Sequence, residues 1–333
     1  MLPLLITSAL LCIPIVAIFI SWRQIVWMPG EQYQGPFHSL NAGQRELYGA
    51  LERDLTVLAD EIGERNVSHQ YDALVQSAEF IERSLRDAGH ETRRQELLVQ
   101  GKPVWNIEVE CVGRRFAQEV VVVGAHYDTV PGSPGANDNG SAVVANLALA
   151  RMFAHLPIER TIRFVFFVNE ESPYYMTDAM GALQYARQCE SDGDNIIGMI
   201  SLETIGCYSD EPLTQRYPVA LLRHVYPTTG NFVAFVSNLR SRRFLHRTIR
   251  GFRHTEFPSQ GIAAPRWLKD IFRSDHAAFW ACGYPGMMVT DTANFRYRYY
   301  HTPDDTVDKI NFDGLARVVG GMRGSLLELA GVE

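Results

Sequence analysis

Acidic and imidazole side chains follow two apolar runs near the middle of the chain. A run of four valines leads into His126 and Asp128, and the apolar run 161–168 leads into Glu170 and Glu171. Short continuous apolar blocks are typical of buried parallel strands, and open α/β sheets carry their chemistry just past the carboxyl ends of such strands. The sequence therefore predicts a metal site at the point where these two strands end.

Three further side chains extend this set. Asp138 lies in a turn rich in Gly and Asn before an apolar helix, which suits a carboxylate that bridges two ions. Glu203 ends another predicted strand, and His301 lies far downstream. Hydrolysis by two metal ions requires oxygen and imidazole ligands, a bridging carboxylate and one free carboxylate that accepts a proton from water. The chain supplies each of these groups.

The spacing inside the two clusters suggests different roles. Glu170 and Glu171 are adjacent, so their side chains diverge, and one can bind metal while the other faces the substrate. Asp128 is two residues beyond His126 and would extend from the same side of an extended chain. It is therefore a candidate for the hydrogen-bond partner that orients the imidazole.

At this point the chain resembles the M28 family of zinc aminopeptidases, which also holds a glutamate carboxypeptidase branch and glutaminyl cyclases. Six segments carry the resemblance, in the family's order and over roughly residues 104–329: GAHYDTV, NDNGSA, FFVNEE, ISLETIG, SDHAAFW and YYHTPDDT. One segment alone would be weak evidence, but six in order are specific. The resemblance implies a zinc-dependent exopeptidase with two Zn²⁺ ions per chain.

The resemblance also implies roles for single residues. One zinc would be bound by His126 and Glu203, the other by Glu171 and His301, with Asp138 bridging the two. Glu170 would be the general base that takes a proton from a water between the metals. Tyr300 would donate its hydroxyl to the tetrahedral oxyanion.

Two positions depart from the family pattern. Glu203 stands where most relatives carry Asp, which makes the affinity and identity of that zinc less certain. Residues 171–176 replace a more usual Gly-rich turn, which would alter the rim of the pocket.

The order of predicted elements indicates the fold class. Strands alternate with helices, so we expect an α/β, three-layer αβα sandwich with a mixed, mostly parallel sheet. Amphipathic helices are predicted over residues 44–63 and 71–88, and residues 252–269 are predicted to be a loop. We expect residues 43–333 to form the peptidase domain, behind a linker over residues 28–42.

Residues 1–27 are predicted to be a membrane anchor or a signal segment. Residues 2–22 carry no charge and are long enough to cross a bilayer as a transmembrane helix. A cleavable signal peptide would have a basic start and a small-residue exit site, and neither is clear here. We expect a membrane-anchored, extracytoplasmic domain, or a secreted one if the segment is cleaved.

The expected function is removal of N-terminal residues from peptides, with three alternatives. A carboxypeptidase or dipeptidase would need a cation for the substrate carboxylate, for which the candidates are Arg266, Arg273, Arg296 and Arg298. A single-zinc glutaminyl cyclase would depart from the NDNGS segment, which is intact, and a non-catalytic binding module would have lost ligands. The net charge of −7 argues against nucleic acid as a partner.

Overall fold

A computed structural model describes residues 21–265 and 267–332 of the chain. Eight strands are present: β1 (Arg93–Val99), β2 (Lys102–Cys111), β3 (Phe116–His126), β4 (Arg160–Phe167), β5 (Asn195–Glu203), β6 (Val233–Asn238), β7 (Ser259–Ala264) and β8 (Gly286–Thr290). We number seven α-helices among the described residues: α1 (Ala42–Leu55), α2 (Tyr71–Asp87), α3 (Ala142–Phe153), α4 (Gly181–Asp192), α5 (Arg242–Phe252), α6 (His276–Ala281) and α7 (Phe312–Ala330).

All eight strands belong to one mixed sheet in the order β1-β2-β4-β3-β5-β8-β6-β7. The central strands β4, β3, β5 and β8 are parallel to their neighbours in this group. On one side β2 joins β4 antiparallel, and on the other β6 joins β8 antiparallel. The parallel centre therefore directs four carboxyl ends to one edge of the sheet.

The valine run of β3 explains the layering. Val121 and Val123 pack into the apolar cluster that holds α1, α2, α3, α5 and α7, whereas Val120 and Val122 pack into a second cluster with α4 and α6. Successive strand residues face opposite sides, so a strand covered on both faces is apolar throughout. The predicted three-layer α/β architecture is confirmed.

The predicted amphipathic helices are also present. The first begins at the capping box formed by Asn41 and Gln44 and continues beyond α1 as a π-helix, Thr56–Ile62. The prediction that residues 252–269 form a loop is wrong, because β7 lies within them and pairs parallel with β6. This edge strand consists mostly of small residues and has no apolar block. Met28 covers it so closely that a Cβ on Gly261 would lie 2.7 Å from the Met28 Cγ.

The predicted membrane segment falls mainly on residues 1–20, which lie outside the described residues. Within residues 21–265 and 267–332, none of the helices has the length and apolar character needed to span a bilayer.

Candidate metal centre

Three strand ends bring the predicted site residues to one edge of the sheet. His126 is the last residue of β3 and is in register with Phe167 of β4, three residues before Glu170. On the other side of β3, β5 ends at Glu203. The continuity of parallel pairing therefore places residues from three parts of the chain side by side.

Asp138 lies between two imidazole–carboxylate pairs. Its Oδ1 is 3.5 Å from His126 Nε2, and Glu203 Oε2 is 3.3 Å from the same nitrogen. Its Oδ2 is 2.9 Å from His301 Nε2, which is 3.2 Å from Glu171 Oε1. One carboxylate thus contacts two separate pairs, through a different oxygen in each case.

The donor set fits divalent metal ions. Both carboxylate oxygens of Asp138 are buried, and neither has a hydrogen-bond partner in residues 21–265 and 267–332. A buried carboxylate without such partners is costly unless a cation compensates it. Ligand atoms of His126, Asp138 and Glu171 all lie within 4.8 Å of one another. Nitrogen and carboxylate ligands of this kind suit Zn²⁺.

The electrostatics of the site also favour the binding of cations. Burial raises the pKa of Glu170 well above its ordinary value, and the neighbouring carboxylates of Glu171 and Glu203 add to the shift. Burial and the charge of Asp138 raise the pKa of Glu171 to about 7. Burial lowers the pKa of His301, but Asp138 and Glu171 outweigh it and raise that pKa to about 10. The site therefore carries an excess of acids that bind protons when no cation is bound.

The turn that carries Asp138 is held by a second carboxylate. Asp305 accepts hydrogen bonds from the backbone N–H groups of Asn137 (2.8 Å) and Asp138 (3.0 Å), and the Tyr297 hydroxyl donates to it at 2.7 Å. Gly135 begins the turn with a φ of +61°, and a Cβ there would lie 2.5 Å from the Asp138 carbonyl oxygen. The turn is thus fixed by hydrogen bonds to its backbone N–H groups and also by its own side chains, since the Asn137 amide oxygen accepts from the Gly206 N–H at 2.8 Å.

Asp128 links the ends of β3 and β4. Its two carboxylate oxygens accept from the backbone N–H groups of Glu170 (3.1 Å) and Glu171 (3.2 Å). The same carboxylate lies 3.6 Å from His126 Nδ1, whereas the Asp128 carbonyl oxygen is nearer, at 3.2 Å. Asp128 therefore orients both glutamates as well as the imidazole, which is more than its spacing suggested.

Glu203 is supported from α6 and from the Asp138 turn. The Ser274 hydroxyl donates to Glu203 Oε2 at 2.8 Å, and the Asn139 amide oxygen accepts from the Thr204 N–H at 2.9 Å.

Three non-glycine residues at the site have left-handed backbones, namely Asn169, Thr204 and His301. Such conformations recur where surrounding contacts fix a functional side chain.

Sequence reasoning missed Arg65, which braces the loop before the Asp138 turn. Its buried guanidinium donates to the carbonyl oxygens of Tyr127 (2.6 Å), Pro134 (2.6 Å) and Gly135 (3.0 Å). Burial lowers its pKa to about 10 despite nearby carboxylates. It precedes every motif and has no periodic signal of its own, so no sequence pattern identifies it. Asp305 could have been identified from the sequence, because it belongs to the YYHTPDDT segment.

A largely apolar pocket opens beside Glu203 and Tyr300. Its walls are mostly aromatic and aliphatic, and they include Tyr217, Tyr226, Phe232, Phe235, Phe295 and Met288. The Tyr300 ring stacks on the His301 ring with centroids 3.8 Å apart, so Tyr300 lies beside this candidate ligand. Several of these walls come from residues 207–230, most of which form turns and loops.

Two buried polar groups at the site were not assigned a catalytic role from sequence. The Tyr175 hydroxyl and both carboxylate oxygens of Asp275 are buried and lack a hydrogen-bond partner among the described residues. Burial raises the pKa of both groups, that of Asp275 to about 8, and the carboxylate of Glu203 contributes to each shift. Tyr175 belongs to the segment that departs from the usual Gly-rich turn.

The candidate cations of a carboxypeptidase are placed unequally. Arg296 is buried and donates to Gln215, to the Cys207 carbonyl and to the Phe232 carbonyl. Arg298 lies over the ring of Tyr299. Arg273 lines the pocket and donates to Asn294 at 2.9 Å, and Arg266 lies outside the described residues.

This arrangement of strand ends, paired imidazoles and carboxylates defines a metal-dependent hydrolase of the α/β class. The model of peptidase family M28 matches residues 106–324. An uncharacterized protein, YfbL, of Escherichia coli (strain K12) is 31% identical over 286 residues, which cover 82% of this chain and 85% of that protein. The chain belongs to peptidase family M28.

Other relatives agree with this assignment. The aminopeptidase YwaD of Bacillus subtilis (strain 168) is 28% identical over 207 residues, which cover 59% of this chain but only 38% of that protein. Among solved structures, the zinc aminopeptidase BSAP from Bacillus subtilis aligns with a TM-score of 0.69 at 15% identity, over 85% of this chain and 94% of its own. A glutaminyl cyclase of Fimbriiglobus ruber aligns with a TM-score of 0.61 at 18% identity, over 89% and 98%. At these identities the structures show a shared fold.

Proposed function

We propose that this chain is a two-zinc aminopeptidase that removes large apolar residues from the N-terminus of peptides. The observation that carries the proposal is the Asp138 carboxylate, whose two unpartnered oxygens face two separate imidazole–carboxylate pairs. His126 and Glu203 would bind one ion, Glu171 and His301 the other.

The neighbouring side chains support a division of labour. When bound, the zinc ions would polarise the substrate carbonyl and acidify the attacking water. Glu170 is buried beside the ligands with a raised pKa, which suits a carboxylate that accepts a proton from water and returns it to the leaving amine. Tyr300 would donate its hydroxyl to the developing oxyanion, an interaction of about 2.7–4 kcal/mol in comparable sites.

The charge of the candidate metal centre supports an aminopeptidase rather than a carboxypeptidase. The carboxylates of Glu170, Glu171, Glu203 and Asp138 would balance the four charges of two Zn²⁺ ions, so the loaded centre has no excess positive charge that would hold a substrate carboxylate. A carboxypeptidase would instead rely on Arg273, the one candidate arginine that lines the pocket among the described residues. The aromatic walls of the pocket favour a large apolar side chain in the released residue.

We extend the proposal to the cellular setting. The uncharged run over residues 2–22 would hold the catalytic domain at a membrane, with the domain on the extracytoplasmic side. Carbonate extraction of membranes and protease accessibility in intact and lysed cells test this placement.

The decisive experiment compares Glu170→Gln with Glu171→Gln. Loss of a general base should lower kcat on leucine or phenylalanine arylamides by about 10²–10⁴-fold while two zinc ions are retained. Glu171→Gln should instead lower the zinc content. Near-normal turnover in Glu170→Gln would disprove the assignment of the base, and cleavage only of peptides with blocked N-termini would favour the carboxypeptidase reading.

A further inference from the structure

The strongest positive patch of the chain lies on one helix. Residues 239–255 contain six arginines and no Asp or Glu, although the whole chain has a net charge of −7. The apolar side of α5 is buried in the core, whereas Arg240 and Arg243 are exposed and Arg242 and Arg247 are partly exposed. Of the other two, Arg250 pairs with Glu328 and Arg253 binds backbone carbonyls.

This helix begins at the edge of the sheet opposite the metal centre. Because β6 is antiparallel to β8, Ala234 is in register with Thr290 and Ser237 with Met287. The end of β6 therefore lies away from the carboxyl ends of the central strands. Leu239 and Arg240 follow directly and lead into α5.

The N-terminal part of the described chain runs along the same helix. The Trp27 ring meets the His246 ring edge-on with centroids 5.5 Å apart, and the Arg253 guanidinium donates to the carbonyl oxygens of Pro29 (3.0 Å) and Gly30 (2.9 Å). The chain thus runs parallel to α5, from its first half towards its end. Trp27 accordingly lies beside the first half of α5.

Large apolar side chains accompany the arginines at this place. Trp22, Trp27 and Leu239 are 46%, 40% and 42% exposed. Tryptophan is enriched where proteins meet the interface of a bilayer, and arginine near the surface is attracted by anionic lipids. Residues 2–22, which precede this point, are uncharged and apolar.

We propose that these residues form a basic face that docks on the surface of an anionic membrane. We define the basic face as Trp22, Arg23, Trp27, Leu239, Arg240, Arg242, Arg243 and Arg247. It would hold the domain with the metal centre directed away from the bilayer, so that peptides reach it from solution. The tryptophans and the adjoining apolar run favour a lipid surface over nucleic acid, and this inference does not depend on the peptidase proposal.

The test uses the full chain with vesicles of phosphatidylcholine alone and of phosphatidylcholine mixed with phosphatidylglycerol. Hydrogen exchange is measured for the amides of residues 239–243, which form the 3₁₀ turn Leu239–Ser241 and the first two residues of α5. We expect exchange at least about tenfold slower on the mixed vesicles than on phosphatidylcholine, with the difference lost at high salt.

Matched double variants separate the basic face from net charge. Arg240→Glu/Arg243→Glu should abolish the lipid-dependent protection, whereas Arg53→Glu/Arg83→Glu, which reverses two exposed arginines on α1 and α2, should retain it. The circular dichroism spectrum and the Tm in detergent should be unchanged in both, which confirms folding. Equal protection on both vesicles, equal loss in both variants, or release from mixed vesicles by duplex DNA that itself protects residues 239–243 would overturn the proposal.

Discussion

The turn that carries Asp138 and the rim of the apolar pocket are built on different principles. Residues 135–141 are buried throughout, and they are held by the Asp305 carboxylate, which accepts from backbone N–H groups, and by the Asn137 amide oxygen, which accepts from the Gly206 N–H. Residues 207–230 are mostly exposed or partly exposed, and they contribute apolar side chains to the pocket. The position of the candidate metal ligands thus depends on satisfied polar groups, whereas the pocket depends on the packing of apolar side chains. Changes in the two regions should therefore have separable effects.

The largest effect on metal binding is expected from Asp305→Ala in the support of the turn. It removes the acceptor for the N–H groups of Asn137 and Asp138, so the bridging carboxylate loses its fixed orientation. Loss of such a supporting contact typically lowers metal affinity by about 10–100-fold. Zinc titration against a competing chelator measures this, and excess zinc should restore part of the activity.

Asp304→Ala is the matched control, because its side chain is exposed and adjacent. Its zinc affinity should equal that of the unmodified protein. Equal losses in the two variants would show that the whole loop, and not the Asp305 carboxylate, holds the turn.

A second prediction concerns the wall of the pocket beside this rim, where the Arg216 N–H donates to the Phe295 carbonyl. Phe295→Ala removes a partly buried wall of the pocket without touching a candidate ligand. The loss of one apolar contact should lower kcat/KM for phenylalanine and leucine arylamides by roughly 10–200-fold, with unchanged zinc content. Leu213→Ala, at a residue of 207–230 that is 79% exposed and does not line the pocket, should leave both unchanged. A fall in zinc content in Phe295→Ala would contradict the separation of the two regions.

The third prediction is the pH dependence of the metal-free protein. The pKa of Glu171 is raised by burial and Asp138 to about 7, and that of Asp305 by burial to about 6, so the folded protein binds protons that the unfolded chain has released. Stability is then fully present below the ordinary carboxyl pKa and falls as pH rises through about 6–7. The His301 pKa, raised to about 10, continues the decline from pH 6.5 upward.

Thermal unfolding after removal of metal should therefore give a lower Tm at pH 8 than at pH 5. Zinc should reverse most of the difference at pH 8, because metal binding replaces the protons. A Tm that rises with pH in the metal-free protein would contradict the signs of these shifts.

The smallest effect is expected from Tyr175→Phe. The hydroxyl is buried without a partner among the described residues, so its removal should not lower the free energy of unfolding and could raise it by about 1 kcal/mol. Since the hydroxyl lies near Glu170 and Glu203, kcat/KM should fall if it donates to substrate. Unchanged kinetics would limit Tyr175 to a packing role.

The sequence predicted most of the candidate metal centre because the proposed ligands follow strands with a strong signal. The valine run before His126 and the apolar run before Glu170 are buried on both faces, so strand ends and site coincide. Parallel neighbours then bring distant segments together, which the order of elements makes predictable. The family resemblance added His301, whose position depends on a loop rather than on a strand.

Supporting contacts were harder to predict. Arg65 acts through backbone carbonyls of residues about 60–70 positions away, and no pattern of residue types marks such a contact. β7 was missed because its small side chains carry no apolar block. The basic face was missed because net charge averages over the chain, whereas α5 concentrates its arginines on one side.

The accessibility of His301 has a consequence for how ions exchange. Its side chain is 36% exposed, whereas those of Glu171, Asp138, Glu203 and His126 are 9% exposed or less. In the proposed two-ion site, a chelator in solution would therefore reach the ion bound by His301 first. A chelator should strip the two positions at unequal rates, with the His301 end emptied first, and a half-loaded species should accumulate on the way.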